Sequence, residues 1–262
     1  MEGEIIHKLQ LYYKDEYIRL FQGDCLEVMD KLIEKGIKFD AIIADPPYGT
    51  TQCKWDFIIP FDKMWGRINQ LIKDSSVTIL FGSEPFSSAL RMSNIKNYKY
   101  DWYMKKSKPN GFLNAKKMPL KAIENISVFY KSLPKYNPQG LIKIDKTIKN
   151  TGTKSRKNLK ENGDITSAHN AIGQEYYKQE FTNYPINIIE CSNGSPNSLH
   201  PTQKPLEVIE YLINTYTNEN EIILDFTCGS GTTLLAARNL KRKCIGIELE
   251  EKYCEITKQR LA

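Results

Sequence analysis

Asp45, Pro46, Pro47 and Tyr48 close an apolar run, Phe39 to Ala44. A buried strand that ends in an acid and two prolines sets polar groups at the carboxyl edge of a sheet, where ligands bind in α/β folds. The prolines fix φ and remove two amide donors, so their carbonyls are left to accept. A carboxylate beside a free carbonyl suits an amino group that offers two N–H donors, and Tyr48 adds a flat face on which a base could stack. Taken alone, the four residues also admit a plainer reading, a strand followed by a polyproline turn with a packing tyrosine.

A second string changes that balance. Ile223-Leu224-Asp225-Phe226-Thr227-Cys228-Gly229-Ser230-Gly231-Thr232-Thr233 reads as strand, glycine turn and helix start. Gly229 and Gly231 permit close backbone approach to a ligand at a helix N-terminus. No Lys follows Gly231, so this is not a phosphate-binding P-loop, and Leu234 stands where a dinucleotide fingerprint needs its third glycine. A further strand, Lys243 to Ile247, ends at Glu248, 23 residues after Asp225. An acid at that place accepts the two hydroxyls of a ribose.

The elements that would position these residues are short apolar runs separated by helical patterns. Strands are expected at Tyr17–Gln22, Phe39–Ala44, Val77–Phe81, Tyr98–Met104, Ile126–Tyr130, Glu221–Asp225 and Lys243–Ile247. Helices are expected at Cys25–Lys35, Pro60–Lys73, Glu84–Asn94, Pro205–Tyr216, Thr232–Leu240 and Lys252–Leu261. This alternation implies a doubly wound, mostly parallel α/β sheet. Residues 131–198, rich in Lys, Asn, Gly, Ser and Thr, interrupt it and read as an insert. The halves on either side are 1–130 and 199–262.

The net charge of +6 is local: residues 143–160 hold seven Lys or Arg against one Asp, which equals the whole excess. Clustered cations of this kind suit contact with phosphates. Six scattered cysteines with no C-x-x-C pair, and three distant histidines, offer neither a disulfide framework nor a metal site. No apolar run approaches the roughly 18 residues of a membrane span, and the N-terminus lacks the apolar core of a signal peptide. The expected location is the cytoplasm.

Together these strings resemble the DNA N6-adenine/N4-cytosine methyltransferase family, in which D-P-P-Y is catalytic and D-x-F-x-G-S-G-T binds S-adenosylmethionine. The catalytic motif comes first, as in the family's permuted β group. Gln22-Gly23-Asp24-Cys25-Leu26 is similar to the family's third cofactor strand and its acid. His200-Pro201-Thr202-Gln203-Lys204-Pro205 resembles the segment before the helix that closes the cofactor pocket. Trp102 to Lys131 resembles the later strands of the catalytic half, and Asp45 to Trp65 resembles a small phage and bacterial subgroup. The likeness covers residues 17–131 and 199–262. One position departs: Thr227 stands where the family usually has Phe beside the methionine moiety, which predicts weaker cofactor affinity.

The resemblance implies a Rossmann-like methyltransferase fold, with the insert as target-recognition region. It makes Asp45, Pro46, Pro47 and Tyr48 catalytic. It assigns the cofactor to Asp24, Cys25, Asp45, His200, Lys204, Asp225, Thr227, Gly229, Ser230, Gly231, Thr232 and Glu248. The expected reaction moves a methyl group to N6 of an adenine flipped out of double-stranded DNA, with no metal. The N4-cytosine group more often carries Ser in place of the first Asp, so Asp45 favours adenine. RNA or protein-amide methylation, where Asn commonly replaces that Asp, and a DNA-binding protein without catalysis are the other readings. Lys143, Lys146, Lys149, Lys154, Arg156, Lys157 and Lys160 are the expected phosphate contacts. Related permuted enzymes often pair, so a homodimer and a cognate restriction enzyme are the protein partners to test.

Overall fold

The computed structural model describes residues 10–50, 56–149, 176–192 and 203–262. Contacts divide the chain into two units, Met1–Asn137 with Ile186–Ala262, and Pro138–Pro185.

In the larger unit the strands are β1 (Gln10–Lys14), β2 (Ile18–Gln22), β3 (Phe39–Ala44), β4 (Ile72–Gly82), β5 (Tyr98–Asn110), β6 (Lys121–Phe129), β9 (Ile188–Cys191), β10 (Ile222–Asp225) and β11 (Lys243–Glu248). The helices are α1 (Cys25–Glu34), α2 (Phe61–Leu71), α3 (Phe86–Ser93), α4 (Leu206–Tyr216), α5 (Thr232–Asn239) and α6 (Glu251–Leu261). Among the described residues nine strands form one sheet in the order β1-β2-β11-β10-β3-β4-β6-β5-β9. The five central strands, β2 to β4 in that order, are parallel.

Every strand and helix expected from the sequence is present, β3 with the expected ends and the others with shifted ones. β6 departs from the parallel expectation. It runs antiparallel between β4 and β5, because a hairpin joins it to β5 and leaves no crossover to turn it round. β1 and β9 extend the sheet at its edges without having been foreseen.

Alternate side chains of the central strands feed two cores, as burial on both faces of a parallel sheet requires. Ala41, Ile43, Ile223 and Cys244 pack with α4, α5 and α6 residues such as Leu212, Ala236 and Leu261. Ile42, Ala44, Leu224 and Ile245 pack with Met29, Met64 and Leu90 of α1, α2 and α3. The helix ends are locally encoded. Asp24 caps α1, its Oδ1 accepting from the amides of Leu26 at 2.9 Å and Glu27 at 3.2 Å. Gly36 at φ +67° ends that helix, its amide donating to Ile33 O while Ile37 N reaches Leu32 O.

The smaller unit holds β7 (Ile142–Lys149) and β8 (Tyr176–Thr182), an antiparallel pair in which Lys143 faces Phe181 and Lys146 faces Gln179. Asn183 Nδ2 donates to Gly140 O at 2.7 Å. Lys143 and Lys146 are exposed, and Lys149 lies on β7. Lys154, Arg156, Lys157 and Lys160 fall outside the described residues.

Candidate active site

Four neighbouring parallel strands, β2, β11, β10 and β3, deliver four acids to one edge. Asp225 and Glu248 are the last residues of β10 and β11, Asp45 follows β3, and Asp24 follows β2 by one glycine. This is the edge where doubly wound sheets hold ligands. A cavity of about 1010 Å³, open to solvent, is lined by these acids and by Cys25, Lys204, Thr227, Gly229, Ser230 and Thr232. Phe57, Ile59 and Phe81 supply apolar wall.

Asp45 accepts on both oxygens. The Tyr48 hydroxyl donates to Oδ1 and the Lys204 ammonium to Oδ2. Tyr48 packs its ring against Phe86, with centroids 5.0 Å apart. Pro46 is buried. Burial first, then the Asp45 charge, pushes the Tyr48 phenol far above its ordinary value, so it stays a donor.

Lys204 was expected among the cofactor ligands. The structure gives its ammonium to Asp45, with Glu124 Oε2 at 3.7 Å and the Phe81 ring centroid at 5.3 Å. Glu124 of β6 was not singled out from sequence. It also receives the Lys106 ammonium. Burial pushes its carboxyl upward, but Lys204 and Lys106 outweigh that and hold it below the ordinary value. The only local signal was an acid inside the apolar run E-N-I-S-V-F, and its partners lie far along the chain.

The glycine turn is built around Glu248. Its Oε2 accepts from Gly229 N at 2.8 Å and its Oε1 from Glu250 N at 2.8 Å. Each carboxylate oxygen keeps a second lone pair for a ligand hydroxyl. Burial raises the Glu248 carboxyl, and these amides pull part of the shift back. Gly231 sits at φ +76°, and a Cβ there would come within 2.4 Å of Thr257 Cγ2. Only glycine fits that turn. Arg260 of α6, also missed from sequence, backs the turn by donating to Ser230 Oγ and Thr232 Oγ1, both at 3.2 Å.

Asp225 accepts from Thr227 N at 3.1 Å and is almost wholly buried. Burial pushes its carboxyl up to about 7, against hydrogen bonds from Thr233 and Thr227 that lower it and the charges of Asp45 and Glu248 that raise it. Burial, then Asp24, pushes the Cys25 thiol up to about 12, and burial also raises Cys228, so neither supplies a ready thiolate. His200 lies outside the described residues, as does Cys53.

These residues fit S-adenosylmethionine. The Thr227 hydroxyl is buried at the cavity with no partner among the described residues, so it is available to a polar ligand. The carboxyl oxygens of Asp24, Asp225 and Glu248 around the turn suit a ligand that offers an ammonium group and ribose hydroxyls.

Comparison with known proteins agrees. The chain is 25% identical over 252 residues to the type II methyltransferase M1.MboII of Moraxella bovis, covering 91% of this chain and 94% of that one. A shorter stretch of 62 residues is 52% identical to M2.LlaDCHI of Lactococcus lactis, spanning 24% of this chain and only 23% of that protein. Among solved structures, M1.HpyAVI in complex with S-adenosylmethionine superposes with a TM-score of 0.62 at 24% identity, over 93% of this chain and 99% of that one. The cytosine-N4-specific PvuII DNA methyltransferase superposes with a TM-score of 0.67 at 17% identity, over 97% and 89%. At these identities the structures establish a shared fold. No helix among the described residues is long and apolar enough to cross a membrane. The DNA methylase family model for N6/N4 methyltransferases matches residues 39–259, and the chain therefore belongs to that family of DNA methyltransferases, which draw the methyl group from S-adenosylmethionine.

Proposed function

We propose that this protein methylates N6 of adenine in double-stranded DNA, with Asp45 as the residue that receives the target amine. The supporting observation is the Asp45 carboxylate lining the cavity that fits the cofactor, directly before Pro46 in the chain. Bound S-adenosylmethionine supplies a methyl group made electrophilic by its sulfonium. The exocyclic nitrogen is a weak nucleophile, because its lone pair is delocalised into the ring. N–H donation to Asp45 and to the Pro46 carbonyl favours a pyramidal nitrogen with a free lone pair. The same carboxylate stabilises the positive charge that develops on nitrogen, a contribution of several kcal/mol at preorganised sites. The nitrogen takes the methyl group as the sulfur–methyl bond breaks, its electron pair staying on sulfur to leave a neutral thioether, and the nitrogen then releases one proton to water.

The base must leave the duplex to reach Asp45. The Tyr48 ring would stack on it, worth about 1–3 kcal/mol. Asp24 and Glu248 would hold the adenosine part of the cofactor, and Asp225, Thr227 and the Gly229–Thr232 turn the rest. The region 131–198 would recognise the target, its cations holding phosphates and so positioning the DNA. We place the protein in the cytoplasm; a second copy and a cognate restriction enzyme are the protein partners to test.

N4-cytosine methylation uses the same chemistry and is the second reading, favoured by the superposition on PvuII. Asp rather than Ser at position 45 argues for adenine. Nucleoside mass spectrometry after incubation with DNA and labelled S-adenosylmethionine decides between them.

A further inference from the structure

The β5–β6 hairpin, Lys105 to Lys121, extends past the sheet. Leu80 of β4 is level with Ala44 of β3, and with Ser127 and Asp101 of β6 and β5. β5 continues to Asn110, nine residues beyond Asp101, and every residue from Ser107 to Lys121 is exposed. At about 3.3 Å per residue the extension reaches more than 20 Å past the edge that carries Asp45. Sideways, β6 lies two strands from β3, on the order of 10 Å.

The tip is apolar and ordered. Phe112 is 81% exposed and Leu113 99%. They sit on a 3₁₀ turn, Phe112–Asn114, closed by Asn114 N to Gly111 O at 2.9 Å and Met118 N to Asn114 O at 3.0 Å. The hairpin from Lys105 to Lys121 carries six lysines and no acid; Lys105 pairs with Glu190, Lys106 with Glu124 and Lys121 donates to Ser83 Oγ, while Lys116 and Lys117 follow the tip. Its base is tied to the site: Lys106 donates to Glu124, which shares Lys204 with Asp45.

We propose that this hairpin is a DNA wedge: Phe112 and Leu113 enter the base stack beside the target while Lys116 and Lys117 hold flanking phosphates. Apolar side chains inserted between base steps are a general device for unstacking a duplex. Lys116 and Lys117, just after the tip, select a polyanion over an uncharged protein surface, and the hairpin rises from the same sheet edge that carries Asp45. The inference rests on the DNA methylation reading above.

The test uses the full-length protein and a duplex carrying the site that wild type methylates, read from sequenced DNA of an expressing host. A second duplex has an abasic site opposite the target base, so extrusion is already eased. The variant is Phe112→Ala with Leu113→Ala. Its turnover should fall about tenfold or more on the paired duplex, equivalent to about 1.4 kcal/mol. On the abasic duplex it should match wild type within about threefold, with cofactor binding by calorimetry unchanged. Equal turnover of variant and wild type on paired DNA overturns the wedge. Equal losses on both duplexes also overturn it, as does lost cofactor binding, which would mean the tip is structural. Loss of self-association with unchanged turnover would assign the tip to a second copy instead. A wild-type protein that methylates no DNA fails the methylation reading itself, and the wedge with it.

Discussion

Lys204 donates its ammonium to the Asp45 carboxylate across 159 residues of chain, and it also faces Glu124. Two carboxylates thus share one cation that is 9% exposed. Removing one partner of a buried ion pair leaves uncompensated charge and costs about 3–5 kcal/mol where burial is complete. Lys204→Met should therefore lower turnover at least tenfold and move Glu124 upward, since Lys204 is the strongest influence holding it down. Single-turnover kinetics reads this. Wild-type turnover in the variant would mean that Lys204 is a bystander.

Glu248→Ala should weaken S-adenosylmethionine binding. Hydrogen bonds to a charged group are worth about 1.5–3 kcal/mol each, so one lost bond corresponds to roughly tenfold or more in affinity. Glu248 also anchors the amides of Gly229 and Glu250, so Glu248→Gln, which keeps one acceptor oxygen, should fall between. Calorimetry that finds an unchanged dissociation constant in both variants contradicts the assignment.

Asp225 sets a pH dependence of stability. Its folded carboxyl sits at about 7, above the ordinary 3.8. The protonated form is the one the folded protein tolerates, so the contribution is complete below about pH 4 and is lost as pH rises to about 7. The full span is roughly 4 kcal/mol, at about 1.4 kcal/mol per pKa unit. Asp225→Asn should remove this decline, so the variant's ligand-free urea midpoint should drop less than wild type's between pH 5 and pH 8. Parallel pH profiles would refute the buried, uncharged carboxyl.

Much of the site was legible because its pieces are contiguous strings. Phe39 to Tyr48 encodes strand and acid together, and Asp225 to Thr232 encodes acid, turn and helix start. Glu124, Arg260 and the partner of Lys204 were not, because each acts across a long stretch of chain on a strand or helix whose periodicity says only that it packs. β7 and β8 were missed for another reason. Segments such as Lys-Ile-Asp-Lys-Thr-Ile-Lys carry more charge than apolar pattern, and polar composition resembles a loop whether or not strands pair. The antiparallel turn of β6 is a property of its hairpin, and strand signals carry no direction.

The basic segment 143–160 should dominate attraction to DNA. Changing Lys154, Arg156 and Lys157 together to Ala should shallow the slope of log affinity against log salt by roughly 0.9 for each lost phosphate contact. The loss should be similar on specific and unrelated DNA, with cofactor binding unchanged. An unchanged slope would put the DNA-binding face elsewhere, and a loss confined to the specific site would mean that these residues read bases.

The most direct measurement is the identity of the modified base. Wild type and Asp45→Ala, each expressed in a host lacking its own DNA methyltransferases, would yield DNA for nucleoside mass spectrometry. The predicted result is N6-methyladenine from wild type and none from Asp45→Ala, with the variant still binding S-adenosylmethionine in solution. N4-methylcytosine would contradict the adenine assignment, and methylation that survives Asp45→Ala would contradict the role given to Asp45.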